Sequence, residues 1–209
     1  MIILAVDPGT VNIGMACYDT DTNEFIDNRR TQICTKQREI KSEYELTSRI
    51  YQHILTPGSL TRNLFDVADI VLIEIQMKRK FIIFQHVLAT FCFSHQKAYR
   101  FVAPQSIKYH FNLSRKSHKA NKLAAIEYTT KRFATIMTKF TKAKRDDIAD
   151  ALLMCIYWSE VHVQKLKPPP PPPRPPKLTS CKLKQPTKRK RKPTHTRQRK
   201  PKRTKLKSN

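Results

Sequence analysis

Glycine, acidic residues and long apolar runs are scarce in this chain of 209 residues. Three glycines are present, and 16 aspartates and glutamates stand against 41 lysines and arginines, which gives a formal net charge of +25. No run approaches the roughly 18 apolar residues that a membrane span needs, so we expect no membrane partner. The first residues reach an acid at Asp7 without a basic start, which argues against a signal peptide. So large a positive excess favours a polyanionic partner, most simply nucleic acid.

Cysteine and histidine form no recognisable ligand sets. The five cysteines are scattered without a C-x-x-C pair, and the seven histidines form no H-x-x-x-H pair. We therefore expect neither a disulfide framework nor a zinc site. Scattered cysteines are typical of buried thiols in a reducing compartment, which predicts an intracellular protein.

Charge and proline divide the chain near residue 167. Residues 168–209 hold sixteen basic residues, no acid and eleven of the 14 prolines, and residues 1–167 therefore carry a charge of +9. The proline run favours a polyproline II spacer, with an SH3-type ligand as the weaker alternative. We expect a folded domain over residues 1–165 and a disordered Pro-rich and Lys/Arg-rich tail over residues 166–209. That tail would bind nucleic acid or an import receptor, or merely keep the chain soluble.

The pattern of apolar residues predicts an α/β domain. Predicted strands cover residues 1–7, 12–18, 25–34, 68–75 and 99–103, and predicted helices cover residues 39–55, 77–96, 119–140 and 146–165. Three strands in a meander, followed by strands that alternate with helices, indicate a mixed five-stranded sheet flanked by helices.

Four acids stand at the ends of these elements. Asp7 ends the first strand and Glu74 lies near the end of the fourth, while Asp147 and Asp150 open the last helix on one face. An unpaired carboxylate is costly to bury, so four converging acids need a cation. Ligand sets made only of oxygen favour Mg²⁺ or Mn²⁺. Two such ions would activate a water and stabilise the leaving oxygen of a phosphodiester.

Each acid alone has an ordinary structural explanation. An aspartate ahead of Pro-Gly is usually a turn residue, and Glu74 could pair with Lys78. The pair Asp146 and Asp147 is typical of a helix start. Asp146 could also replace Asp147 as a ligand, although only Asp147 has the three-residue spacing to Asp150.

The acids lie in segments that resemble the motifs of RuvC-like Holliday junction resolvases. Residues 7–14 (DPGTVNIG) resemble the first motif, residues 71–76 (VLIEIQ) the second acidic strand, and residues 147–152 (DIADAL) the start of the last helix. Residues 103–119 resemble the stretch that carries basic residues near the cleaved phosphate. The lead-in at residues 144–147 (KRDD) is similar to resolvases of poxviruses and other large eukaryotic DNA viruses.

This resemblance implies an RNase H-like fold and an endonuclease that resolves four-way DNA junctions by paired nicks, in recombination or replication intermediates. It implies that Asp7, Glu74, Asp147 and Asp150 hold two Mg²⁺ or Mn²⁺ ions per active site. It also implies a homodimer, to which the apolar helix over residues 77–96 could contribute. The protein would act in the nucleus or at a viral DNA replication site.

The resemblance further implies that Lys119 stabilises the charge that develops at the attacked phosphate. Lys122, one helical turn further on, is the alternative. Either Phe81 or Phe84 could stack on an unpaired base, with ordinary core packing as the competing explanation. The expected DNA contacts are Lys78, Arg79, Lys80, Phe81, Lys108, Arg115, Lys116 and Lys122.

Other functions remain open from the sequence. The chain could be another RNase H-like nuclease, of the ribonuclease H or integrase type, or a basic DNA-binding protein without activity. An actin-like ATPase fits poorly, because three glycines cannot form the phosphate loops which that class requires. A pure DNA binder, in turn, has no reason to gather four carboxylates against its own polyanionic partner.

Overall fold

The computed structural model of the protein describes residues 1–9, 11–141 and 145–163. In that part of the chain the sheet consists of β1 (Ile2–Asp7), β2 (Asn12–Asp19), β3 (Glu24–Gln32), β4 (Ile70–Glu74) and β5 (Ala98–Val102). The helices found there are α1 (Glu43–Ile50), α2 (Leu60–Val67), α3 (Arg79–Ser94), α4 (Pro104–His110), α5 (His118–Arg132), α6 (Ala134–Met137) and α7 (Arg145–Trp158). The predicted tail over residues 166–209 lies outside the described residues.

The sheet is mixed, with the strand order β3-β2-β1-β4-β5. β1, β2 and β3 form an antiparallel meander, whereas β4 and β5 run parallel to β1 on its other side. A parallel neighbour requires a crossover, which α1 and α2 provide before β4 and α3 provides before β5. The predicted mixed five-stranded sheet flanked by helices is confirmed. It follows that the carboxyl ends of β1 and β4 lie side by side at one edge.

Side chains alternate along β1 and enter two separate cores. Leu4 and Val6 pack with residues of α1, α2 and α3, while Ile3 and Ala5 pack with residues of α5 and α7. All four are completely buried, and each buried CH₂ group stabilises the fold by about 0.8 kcal/mol. Phe84 is also fully buried, in the first of these cores. Its burial excludes Phe84 as a base-stacking residue, so that alternative was wrong.

Two predicted helices have different bounds, one because of a local cap and the other because of a tertiary contact. The helix predicted over residues 39–55 begins only at Glu43, where the Ser42 hydroxyl accepts a hydrogen bond from the Glu45 amide. The helix predicted over residues 119–140 ends at Arg132. Phe133 leaves the helical conformation and packs edge-on against Phe25, with the ring centroids 5.2 Å apart. This tertiary contact overrides the apolar periodicity.

Two short helices were missing from the sequence prediction. α2 begins after Ser59, whose hydroxyl accepts a hydrogen bond from the Arg62 amide. α4 begins with Pro104, a residue that favours the first turn of a helix because its missing N–H would have no acceptor within the helix there. Both helices contain only seven or eight residues, too few for a clear period. No described helix is long and apolar enough to cross a membrane.

Candidate active site

A cleft of about 620 Å³ opens at the edge of the sheet where β1 and β4 end. Asp7 is the last residue of β1 and Glu74 is the last residue of β4. In these parallel strands Val6 lies opposite Ile73, so the two acids follow in register and both line the cleft. The two carboxyl groups lie close enough for the charge of Glu74 to raise the pKa of the buried Asp7. The strand pairing therefore brings together two acids that are 67 positions apart in the sequence.

The first turns of α7 bring Asp147 and Asp150 to the same cleft. The helix can approach the sheet closely because Gly14 on β2 lacks a side chain. A Cβ atom at this glycine would lie 2.0 Å from the Asp147 carbonyl oxygen. Gly14 also lies directly opposite Asp7 in the β1–β2 ladder. One glycine thus allows the helix acids to approach the strand acids.

Burial and mutual repulsion perturb the acids of this cleft. Burial, followed by the charges of Glu74 and Asp150, raises the pKa of Asp7 well above its ordinary value. Burial, followed by the charge of Glu74, raises the pKa of Asp150 to about 7, although Lys108 and Lys122 oppose the shift. The pKa of Glu74 is raised by burial as well. These carboxylates would be stabilised by a cation between them.

Lysines face the acids from two helices. Lys122 of α5 and Lys108 of α4 both line the cleft. The Lys122 Nζ atom pairs with Asp146 Oδ2 at 2.8 Å. Burial alone would raise the pKa of Asp146, but this ion pair holds it below its ordinary value; the pKa of Lys122 is raised in return. Asp146 therefore binds a lysine, whereas Asp147 and Asp150 line the cleft.

Two further side chains form hydrogen bonds with predicted metal ligands. Arg30 of β3 donates from Nε to Asp147 Oδ2 at 2.9 Å. The Gln76 side-chain amide donates to Glu74 Oε2 at 2.7 Å, and its backbone N–H donates to the buried Gln85. Arg30 could not be predicted as a partner of Asp147, because its position opposite Gly14 depends on a strand register that the sequence alone does not specify.

The two lysines proposed from the sequence differ in position. Lys119 is exposed on the first turn of α5 and, among the described residues, does not belong to the walls of the cleft. Lys122, one turn later, does line it, as does His118 at the helix start. His118 was missed, since no pattern set it apart from the other histidines. The arrangement favours Lys122 over Lys119 as the lysine that faces the acids.

The predicted DNA contacts divide into two groups. Lys78, Phe81 and Lys108 line the cleft together with Lys122. The remaining four do not belong to its described walls: Arg79, Lys80, Arg115 and Lys116. Arg79 pairs with Glu43 at 2.6 Å, and Lys80 donates to the carbonyl oxygen of residue 40 at 2.9 Å.

The donor set fits a hard divalent cation chemically, although its side chains are not arranged as a finished metal site. Within the described residues, no three His, Cys, Asp or Glu side chains stand close enough to hold an ion. Asp147 is drawn towards Arg30, which donates to its Oδ2 atom. The donors are all carboxylate oxygens, and burial, followed by the charges of Glu74 and Asp150, raises the pKa of Asp7. Oxygen donors of this kind suit Mg²⁺ or Mn²⁺.

Comparison with known proteins identifies a protein family that resembles this chain. The model of the family described as "Poxvirus A22 protein" matches residues 1–162. No curated protein sequence matches the chain.

Solved structures show the same fold. RuvC of Thermus thermophilus in complex with a Holliday junction substrate has a TM-score of 0.52 and 12% identity, and the match covers 78% of this chain and 96% of that one. A second Thermus thermophilus RuvC structure has a TM-score of 0.52, 13% identity and coverage of 77% and 96%. The fowlpox virus resolvase with its substrate Holliday junction DNA has a TM-score of 0.49, 19% identity and coverage of 77% and 99%. The RuvC matches confirm the predicted RNase H-like fold.

Proposed function

The chain belongs to the poxvirus A22 protein family, and from this premise we propose that it is a metal-dependent endonuclease that resolves four-way DNA junctions by paired nicks. One observation carries the proposal most directly: Asp7, Glu74, Asp147 and Asp150 line one cleft together with Lys78, Lys108 and Lys122. Carboxylates suit divalent ions, and lysines suit the phosphates of DNA. The fold shared with RuvC, whose structure was solved with a Holliday junction, supports a branched substrate.

In this proposal the four acids hold two Mg²⁺ or Mn²⁺ ions. Such ions supply an activated water and stabilise the charge on the leaving oxygen. Gln76 orients Glu74 through its 2.7 Å hydrogen bond, and Arg30 restrains Asp147. The cleft is partly buried, which strengthens these charge interactions relative to water.

The lysines of the cleft have two proposed roles. Lys122 faces the acids, and its raised pKa keeps the ammonium group charged, so it is suited to stabilise the negative charge that develops at the attacked phosphate. Lys78 and Lys108 bind neighbouring phosphates at the cleft walls. Phe81 is half-buried in the same wall and can stack on an unpaired base at the crossover.

Two further features belong to the proposal. The chain acts as a homodimer, because two symmetric nicks require two cleft acid clusters. Phe93, near the end of α3, is 78% exposed and provides apolar surface for this contact, whereas the 88% exposed Met77 precedes α3 and also lines the cleft. Membership of a poxvirus family favours action at sites of viral DNA replication.

The tail over residues 168–209 supplies affinity without sequence or structure preference. Its sixteen basic residues, without an acid, suit contacts with phosphates. Removal of residues 168–209 should weaken junction binding and flatten its dependence on salt concentration, as measured by fluorescence anisotropy across a salt series. An unchanged salt slope would contradict this role.

Cleavage of labelled DNA tests the function itself. The full-length chain should cut a synthetic four-way junction in Mg²⁺ or Mn²⁺, but not in EDTA, and should cut linear duplex or an RNA–DNA hybrid much less. Asp7→Asn and Glu74→Gln should abolish cleavage and leave junction binding intact. Glu127→Gln, at an exposed acid on α5 that pairs with Lys131, is the matched control.

Other outcomes would favour other functions. Preferential cleavage of the hybrid would indicate a ribonuclease H, and strand joining would indicate an integrase. Junction binding without nicking in either metal would indicate a DNA-binding protein without activity. Normal cutting by Asp7→Asn would show that the assigned site is wrong.

A further inference from the structure

Three residues form one row across the sheet beneath α7. Asp7 on β1 lies opposite Gly14 on β2, and Gly14 lies opposite Arg30 on β3. Directly opposite residues of antiparallel strands have side chains on the same face, so Asp7 and Arg30 point to the same side of the sheet. Between them the glycine leaves a gap. The backbone of Asp147 fills this gap, and its carbonyl oxygen would be 2.0 Å from a Cβ atom at position 14.

Arg30 reaches the Asp147 carboxylate from the far side of this gap. Its Nε atom donates to Asp147 Oδ2 at 2.9 Å, and the arginine side chain is only 14% exposed. Asp147 nevertheless lines the cleft. The arginine thus restrains one carboxylate oxygen of a predicted metal ligand while that ligand remains accessible from the cleft.

Such a contact can influence cation binding in two opposite ways. As a charge, a guanidinium beside the acids repels an incoming cation, so its removal should tighten binding. As a restraint, it holds the carboxylate in one orientation, and partners of this kind typically contribute 10–100-fold in metal affinity. The sign of the effect therefore separates the two roles.

We propose that Arg30 is a positioning residue for Asp147, and that the cation affinity of the cleft depends on the geometry of this contact more than on its charge. The inference rests on the proposed function, since it assumes that Asp147 is a metal ligand. The low exposure of Arg30 and its hydrogen bond to Asp147 favour the restraint. A partly buried, planar guanidinium loses little freedom when it holds a carboxylate.

Calorimetric titration of Mn²⁺ into the metal-free, full-length protein tests this role. Arg30→Gln should weaken Mn²⁺ binding by about 10–100-fold despite the loss of a repelling charge. Arg30→Lys keeps the charge without the planar donor and should recover only part of the affinity. Arg29→Gln is the matched control, because the neighbouring Arg29 pairs with Asp27 at 2.5 Å and does not line the described part of the cleft. It should bind Mn²⁺ within about twofold of the unmodified chain.

A double variant separates positioning from simple destabilisation. In an Asp147→Asn background, the contact no longer has a ligand to hold, so Arg30→Gln should cause no additional loss of Mn²⁺ affinity. Thermal melts establish that each variant is folded. If Arg30→Gln alone does not fold, Arg30→Lys still tests the idea, because full recovery of Mn²⁺ affinity by the lysine would contradict a role for the planar contact.

The possible failures are distinct. If the unmodified chain binds Mn²⁺ and cuts junctions while Arg30→Gln binds the ion equally well or more tightly, the positioning role is wrong and the proposed function stands. Additive losses in the double variant would also overturn it. If the unmodified chain neither binds Mn²⁺ nor cuts a junction, both the proposed function and this inference fail.

Discussion

The two halves of the acidic cleft are built by different means. In the strand half, Asp7 and Glu74 are placed by the pairing of β1 with β4, and they contact one another directly. In the helix half, the acids of α7 depend on contacts with other elements. Asp147 is held by Arg30 from β3, and its neighbour Asp146 is held by Lys122 from α5.

This difference affects how precisely the acids of each half are positioned. Backbone hydrogen bonds fix the relative position of two adjacent parallel strands, so the backbones of the strand acids are placed by strand pairing, and Gln76 restrains only the Glu74 carboxylate. A helix that packs on a sheet can shift or rotate by small amounts, and its acids need restraints at the point of contact. We therefore expect substitutions around α7, outside the four acids, to affect activity more than comparable substitutions around β1 and β4.

Gly14→Ala should give the largest effect of this kind. The added methyl group would collide with the Asp147 backbone and displace the start of α7 from the sheet. We expect a loss of about 1–3 kcal/mol in the free energy of unfolding, as for other overpacked contacts. Junction cleavage should fall much further than this stability loss explains, because both helix acids move. Denaturant unfolding and single-turnover cleavage measure the two effects.

Gly58→Ala is the control for that substitution. Gly58 has a φ of 75°, so alanine there is strained, but no atom lies within 4 Å of the added methyl group. This variant should lose roughly 1 kcal/mol of stability and keep its cleavage rate in conditions where it is folded. Equal cleavage by both glycine variants would contradict a special role for Gly14.

Lys122→Met should give the next largest effect, and it compares the two candidate lysines. Methionine retains the apolar stem and removes the charge that faces the cleft. The rate of the chemical step should fall about 10²–10³-fold, the usual cost of losing one group that stabilises a transition-state charge. Lys119→Met should change the rate little, since Lys119 is exposed and outside the described cleft walls. The reverse order of effects in single-turnover assays would assign the role to Lys119.

The comparison between the strand half and the helix half also explains which parts of the fold and the cleft could be predicted from the sequence. The strands, their mixed arrangement and the approach of Asp7 to Glu74 follow from apolar runs and chain order. The spacing of Asp147 and Asp150 likewise predicts one helical face. The contact of Arg30 with Asp147 could not be predicted, because it joins residues 117 positions apart through a register that no local pattern encodes.

The errors in the predicted fold have a similar origin. The predicted helix over residues 119–140 ended early because Phe133 packs on Phe25, a contact between distant segments. The choice between Lys119 and Lys122 also depended on how α5 is rotated against the cleft. Sequence patterns specify which face of an element is apolar, and they specify poorly how two elements turn relative to one another.

The last prediction concerns the stability of the metal-free protein as a function of pH. Burial, followed by the charge of Glu74, raises the pKa of Asp150 to about 7, from 3.8. Between these values the folded state retains a proton that the unfolded chain has released, so stability falls as pH rises from about 4 to about 7. Asp150→Asn cannot titrate and should reduce this fall, whereas Glu127→Gln, at an exposed acid, should retain it. Melting temperatures in EDTA between pH 5 and 8 measure the slope. The raised pKa of Asp7 should leave part of the slope in Asp150→Asn. An undiminished slope in this variant would show that Asp150 does not titrate in this range.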